Sequence, residues 1–279
     1  MSYADLHLHS HYSDGTFTPE EIVARGQKQG LGALALTDHD TVEGCALMTI
    51  ECAKAGIEFV VGTELTSEHK DHELHILAYF VDPQNERLLR EIGKFQIVRQ
   101  ERIRYMVAKI NALGVPLKAE DVFALANCKS PGRPHVARTL VRHGQCRTLD
   151  EAFERFLKKG RPAWVPKAKM SALEAIELIH QAGGLAVLAH PGLNRNDNAI
   201  PDLVAAGLDG IECFHTKHPP ATSQHYLVLA EKHNLLITGG SDCHGMSKGK
   251  PLIGTVRLAR EHFEKLKLAA ADRRSATLK

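Results

Sequence analysis

The 279-residue chain contains no Cys-x-x-Cys pair; its six cysteines, Cys45, Cys52, Cys128, Cys146, Cys213 and Cys243, are scattered. That argues against a thiolate zinc site and leaves them as reduced core or surface residues. No apolar run approaches the ~18 to 20 residues needed to cross a bilayer, and nothing resembles a signal peptide, so no membrane association and a cytoplasmic location are expected. Internal repeats and low-complexity tracts are also missing. Tryptophan occurs once, as Trp164, and the formal net charge of +2 excludes a polycation. The charge is unevenly placed, however. Residues 82–169 carry 19 Lys plus Arg against 9 Asp plus Glu, leaving 16 against 24 elsewhere. A basic segment on an acidic body favours capture of an anion between the two.

Metal-competent side chains are abundant, and nearly all stand where an apolar run ends. Asp5-Leu6-His7-Leu8-His9 places two imidazoles two residues apart in an extended run, so both face one way and can share an ion. Runs ending in His39, Glu64 and His190 repeat the arrangement, as does the run leading to Asp242 and His244. Those last two share a pocket if Ser241 to His244 is extended, with Cys243 turned away between them. Asp14 follows the first run closely, and His75 lies inside its own strand candidate.

Strand-like runs alternate with helical patterns: strands at 3–9, 31–37, 57–65, 73–80, 185–189, 207–214, 235–239 and, at the end, 251–256. Helices fall between them at 19–29, 41–55, 172–182 and 222–234, with a last one at 261–270. A stretch of helical segments, 83–113, 119–126, 134–143 and 149–158, interrupts the series. Such alternation predicts a parallel sheet with right-handed crossovers, and ligands drawn from almost every strand require the ends to converge as they do in a barrel. The expected fold is α/β: a barrel body of residues 1–81 and 167–279, with an all-helical cap, 82–166, near its mouth.

The joint set Asp5-Leu6-His7-Leu8-His9-Ser10, Ser13-Asp14-Gly15, Thr37-Asp38-His39-Asp40, Glu64, His75, Ala189-His190-Pro191-Gly192 and Gly240-Ser241-Asp242-Cys243-His244 resembles the PHP family of metal-dependent phosphoesterases. The resemblance implies a distorted (β/α)7 PHP-type barrel holding two or three divalent ions. It assigns His7, His9, Glu64 and Asp242 to one ion, Glu64, His75 and His190 to a second, and Asp14, His39 and His244 to a third. Many relatives have histidine where Asp14 stands. His11 has no counterpart among the family's ligands. Histidine and carboxylate without thiolate suit manganese, iron or zinc, manganese first.

Within the family, Gly132-Arg133-Pro134-His135 and Lys159-Gly160-Arg161-Pro162-Ala163-Trp164 resemble the branch of nucleoside 3′,5′-bisphosphate phosphatases and 5′-to-3′ oligoribonucleases. The resemblance implies a phosphatase acting on a small phosphorylated nucleotide, with short RNA as a second substrate class and no obligate protein partner. Arg133 and His135 are expected to grip phosphate, Lys159 and Arg161 to add charge, and Trp164 to stack on a base. His215 and His218 follow the family in Gly210 to His218. Attack by metal-bound hydroxide is expected, with Arg133 neutralising charge and His218 protonating the leaving alkoxide. The alternatives are exonuclease action on short RNA, histidinol phosphate hydrolysis, and a non-catalytic metal-binding module.

Overall fold

The computed structural model describes residues 3–167 and 170–277. Strands β1 (Tyr3–Asp5), β2 (Leu31–Leu36) and β3 (Glu58–His69) alternate with helices α1 (Pro19–Lys28) and α2 (Cys45–Ala55), and β4 (His72–Tyr79) follows β3 directly. The cap then comprises α3 (Glu86–Ala112), α4 (Ala119–Ala126), α5 (Arg133–Arg142) and α6 (Leu149–Ala152). The body resumes with β5 (Met170–Ser171), α7 (Ala172–Gln181), β6 (Leu185–Leu188), α8 (Pro191–Asn194), α9 (Ile200–Ala205), β7 (Gly210–His215), α10 (Pro220–Lys232), β8 (Leu236–Gly240) and α11 (Arg260–Thr277). Among the described residues, no helix is long and apolar enough to cross a membrane.

The sheet runs β1-β2-β3-β4-β6-β7-β8, with the two-residue β5 attached to the outer end of β3. Its first and last strands meet through Leu6 N–H donating to the Gly239 carbonyl (3.2 Å) and His9 N–H to the Cys243 carbonyl (3.0 Å). The seven main strands thus curl into a barrel, as expected. Leu6, Ala35, Val60, Leu77 and Val187 fill the interior together with Phe263 and Leu266 of α11. Ile22, Leu34, Met48, Ile176 and Leu203 belong to a larger outer layer between strands and helices. The cap has a separate core around Ile103, Met106, Ile110, Val136 and Leu140.

Local chemistry explains the boundaries. Thr18 accepts from Glu21 N–H while the Glu21 carboxylate accepts from Thr18 N–H, a reciprocal cap that starts α1. Asn85 caps α3 through Leu88 N–H (2.9 Å), which fixes the start of the longest cap helix.

Three expectations need correction. The sheet is not all parallel: β4 runs antiparallel to both β3 and β6. Only Lys70 and Asp71 join β3 to β4, both at positive φ (48° and 65°), and a two-residue connection permits only a hairpin. Residues 251–256 form turns instead of a final strand, because Gly254 at φ 74° donates its N–H to Asp5; only Leu258 bridges back to Ala4. The helix expected over 149–158 divides into α6 and a π-turn, Phe153–Leu157.

Candidate metal centre and substrate cleft

The barrel mouth brings all nine candidate ligands together. The Glu64 carboxylate, at the inner part of the long β3 strand, is ringed by imidazoles. His75 Nδ1 lies 2.6 Å from Oε1 and His190 Nε2 3.0 Å; His39 Nδ1 lies 3.0 Å from Oε2, His9 Nε2 3.4 Å and His7 Nε2 3.5 Å. Asp242 Oδ1 stands 3.3 Å from His9 Nε2 and 3.7 Å from His7 Nε2, and Asp14 Oδ1 stands 3.3 Å from His244 Nε2. Donor atoms cluster as His7, His9 and Asp242; as His7, Glu64 and His190; as His39, Glu64 and His75; and as His9, Asp14, His39 and His244. The groups of Asp14, His39 and His244 and of His7, His9 and Asp242 match the expected partition, but His75 and His190 fall in different clusters, and His7, His9, His39 and Glu64 each belong to two. His11 points elsewhere, its Nδ1 against the Phe17 carbonyl.

Two ligand positions use unusual backbone. Asp242 has φ 51° and His190 φ 29°, both left-handed and costly for a residue with a Cβ. Ser241 to His244 is consequently not the continuous extended segment expected: it breaks at Asp242, although Cys243 still bridges to Leu8 and the Asp242 and His244 side chains converge. Cys243 is turned away, its sulfur accepting from Leu252 N–H.

A buried layer supports the ligands, and the sequence reading missed it. Glu212 on β7 accepts from His7 Nδ1 (2.9 Å) and from His190 N–H (2.7 Å). Asp38 accepts from Ser10 N–H and from the Ser10 and Ser13 hydroxyls, pinning the loop that carries Asp14. Asp5 accepts from Ser241 N–H (2.8 Å), tying the first strand to the segment bearing Asp242. Strand alternation offered a signal for Glu212, since residues two apart share a face.

The centre fits divalent cations. His7 Nε2, both nitrogens of His9, Asp14 Oδ1, His39 Nδ1 and His190 Nδ1 are buried without a hydrogen-bond partner among the described residues. Buried polar atoms are otherwise almost always satisfied, so this concentration of unmatched nitrogens and oxygens fits a set of candidate coordination positions. Burial pushes His39 well below, and His9 below, the usual imidazole pKa, keeping both neutral and able to ligate. Burial opposes ionisation of Glu64, Asp14 and Asp242, but the surrounding imidazoles hold all three well below the usual carboxylate range.

A cleft of about 290 Å³ opens above the ligands, and the cap supplies its cationic wall: Arg99, Arg102 and Arg133, with Lys167 beyond the cap's end. A second cavity of about 320 Å³ adjoins it, sharing Glu73, Arg102, Arg133 and Lys167 and adding Asp71, Lys159 and Trp164. Sequence reasoning did not single out Arg99, Arg102 or Lys167, because a cation on a helix or loop reads as a solvated charge. Arg99 reaches into the barrel and pairs with buried Asp40 (2.6 Å), and Arg138 bonds the Asp14 carbonyl, so both fasten the cap.

Arg133, Lys159 and Trp164 thus lie on cavity walls, but four other expected substrate contacts are placed differently. His135 is buried inside the cap, where its Nδ1 accepts from Gly132 N–H (3.0 Å) and burial lowers its pKa to about 4, so it caps α5 instead of facing the cleft. Arg161 is exposed, lines neither cavity and pairs with Glu154 (3.0 Å). His215 is buried behind the ligands, 3.4 Å from Asp242. His218 donates from Nδ1 to the Cys213 carbonyl (3.1 Å) and accepts at Nε2 from Gly192 N–H (3.2 Å). Both of its nitrogens are engaged with backbone, which removes it as a proton donor to substrate. Its ring instead packs the turn after His190, where a Cβ on Gly192 would meet it at 2.8 Å.

The PHP domain model matches residues 5–162. A 3′,5′-nucleoside bisphosphate phosphatase from Chromobacterium violaceum is 34% identical over 262 residues, covering 91% of each chain. The 5′-3′ exoribonuclease Rnm of Salmonella typhimurium is 32% identical over 86% of this chain and 84% of its own. A crystal structure of a candidate metal-dependent phosphoesterase from Bifidobacterium adolescentis superposes with a TM-score of 0.88 at 33% identity, over 95% of each chain. Matched by the family model over more than half its length and by relatives over nearly all of it, the chain belongs to the PHP domain family.

Proposed function

We propose that this PHP protein is a metal-dependent phosphoesterase that removes a phosphate from a small nucleotide, converting a nucleoside 3′,5′-bisphosphate to the nucleoside 5′-monophosphate. One observation carries the reading: a floor of His and carboxylate donors lies under a wall of cations in a cleft of about 290 Å³. The floor suits divalent ions and the wall suits a phosphorylated substrate. The bisphosphate phosphatase of Chromobacterium violaceum, at 34% identity, supports this choice of substrate.

Bound divalent ions supply a nucleophilic water near neutral pH and neutralise phosphoryl oxygens. Manganese is the first choice for this donor set, with iron and zinc as competitors. The protein's own share is positioning. Glu64, His7, His9 and Asp242 set the centre of the floor, with Asp14, His39 and His244 on one side and His75 and His190 on the other. Arg133 overhangs the cleft and offers a planar fork to phosphoryl oxygens. Trp164 and Lys159, in the adjoining cavity, suit the nucleoside end, the indole as a stacking surface. With both His218 nitrogens bonded to backbone, no histidine outside the candidate ligands is left on the cleft wall as an acid among the described residues.

The test is phosphate release by manganese-loaded protein from adenosine 3′,5′-bisphosphate, 5′-AMP, histidinol phosphate and a 5′-phosphorylated RNA trimer, with metal-stripped protein as control. Preference for the bisphosphate, with AMP as product, is expected. The adjoining cavity favours one competitor, stepwise 5′ exonuclease action on short RNA, since it extends the site past Arg133; preference for the trimer would establish it. Turnover of nothing in the panel, with several metals, would reduce the protein to a metal-binding module.

A further inference from the structure

Side chains of the cap bond the segments of the body that carry Asp14, His39 and His244. Arg138 of α5 donates from Nη2 to the Asp14 carbonyl and to the Ser247 hydroxyl (2.6 Å), and from Nη1 to the Gly15 carbonyl (3.4 Å). The Ser247 hydroxyl donates onward to the His244 carbonyl (3.0 Å). Cys128 Sγ lies 3.3 Å from the Ser13 carbonyl. From α3, Gln96 donates to the carbonyl of Asp40 (3.1 Å) and Arg99 to its carboxylate (2.7 Å), and Asp40 directly follows His39. Barrel residues brace the opposite side of the floor, where Glu212 bonds His7 and His190.

The difference in support matters because the ligands differ in their footing. Glu64 and His75 lie on paired strands, β3 and β4, whose ladder fixes them. Asp14 and His244 stand outside the strands, so their separation depends on the bonds that their loops make. Asp14 Oδ1 is 3.3 Å from His244 Nε2 and 3.9 Å from His39 Nε2. Gly132 of the cap lies over the same carboxylate, where a Cβ would come within 3.8 Å of Oδ2. A guanidinium presents its donors in one rigid plane, so Arg138, bonded to both loops, sets both at once.

We infer that Arg138 is a positioning residue for the cation group of Asp14, His39 and His244, and that docking of the cap and occupancy of this group are coupled. This rests on the metal-centre reading and deepens it. The cap clips together the two loops that supply Asp14 and His244, so a cation held between them also holds the cap down; the coupling is reciprocal, as any linkage between two binding equilibria must be.

The experiment titrates manganese into metal-stripped wild type, Arg138→Met, Arg138→Lys and Asp14→Asn, following the electron paramagnetic resonance of the free ion. Asp14→Asn identifies the binding step that belongs to this group. In Arg138→Met that step alone is expected to weaken roughly tenfold, the scale of losing a supporting bond to a metal site. Arg138→Lys keeps the charge without the planar fork and should recover only part of the loss. Amide hydrogen exchange in α5 should slow when manganese is added to wild type, and not when it is added to Asp14→Asn. Ser247→Ala, which removes one link of the clip, serves if Arg138→Met does not fold, and should weaken the same step by a smaller factor. An unchanged step in the variant that folds, equal weakening of every step, or exchange in α5 indifferent to manganese would each overturn the coupling. So would tighter binding in Arg138→Met, the outcome if Arg138 acts only as a positive charge near the cation. Wild type with no step that Asp14→Asn removes would overturn it too, yet leave the phosphoesterase reading in place. Wild type that shows the selective loss but releases no phosphate from any nucleotide in the panel would refute that reading and keep the role of Arg138.

Discussion

Glu212 accepts from His7 Nδ1 through one carboxylate oxygen and from the His190 N–H through the other, so a single buried side chain orients two of the candidate ligands. The first bond turns His7 Nε2 toward Glu64 and Asp242; the second helps hold His190 at its left-handed φ of 29°. In Glu212→Gln, one of the two donors would meet an amide N–H in place of an oxygen. Manganese affinity is expected to fall roughly 10- to 100-fold, the usual effect of losing such a supporting bond. Cobalt titration followed by absorbance would read this without turnover, and affinity equal to wild type would show that Glu212 does not tune the centre.

Removing a ligand itself should be more severe. His190→Ala and Asp242→Ala are expected to lose on the order of 10³-fold in turnover, since metal assistance contributes several kcal/mol to phosphoryl transfer. Far-ultraviolet circular dichroism should show both variants folded. Undiminished activity in both would sink the mechanism.

His218 offers the opposite expectation. His218→Ala leaves the Gly192 N–H and the Cys213 carbonyl without their partner, at a cost of about 1–3 kcal/mol in stability. A lower urea midpoint is expected, with the shape of the pH–rate profile unchanged because no catalytic proton is lost. Disappearance of the alkaline limb in the variant would restore His218 as the acid.

Arg99 joins cap to body by an ion pair whose partners are both buried. Arg99→Ala would strand the Asp40 carboxylate and is expected to cost about 3–5 kcal/mol. Equilibrium urea unfolding would measure it. A cost below about 1 kcal/mol would mean that the cap is held by its other contacts.

The barrel and its floor are largely legible in the sequence because each candidate ligand except Asp14 and His75 closes an apolar run, and runs that end in such residues can converge only at one rim. The direction of β4 is less legible. Lys70-Asp71 lacks the glycine that usually announces a tight hairpin, although the short connection already forbids a parallel pair. The cap was harder still. His135 and Arg161 have the residue types of phosphate contacts, but one caps a helix and the other pairs with Glu154 on the surface. Arg102 looks like any charge on an amphipathic helix; only its burial at the meeting of two cavities sets it apart. Glu212 is hidden for a related reason, since a lone carboxylate in a strand does not reveal which imidazole it will face.

The seam between β1 and β8 has a consequence for how the protein is put together. His7 and His9 extend from the first strand, and Asp242 and His244 from the last, so the cluster of His7, His9 and Asp242 spans the line where the barrel closes. A cation held there acts as a clasp, joining chain segments more than 230 residues apart that cannot present the same donors until closure is complete. Binding only the closed form, it stabilises that form by mass action, by about 2.7 kcal/mol at a free concentration one hundred times Kd. The ions that serve chemistry at the floor would then also lock the two ends of the sheet together.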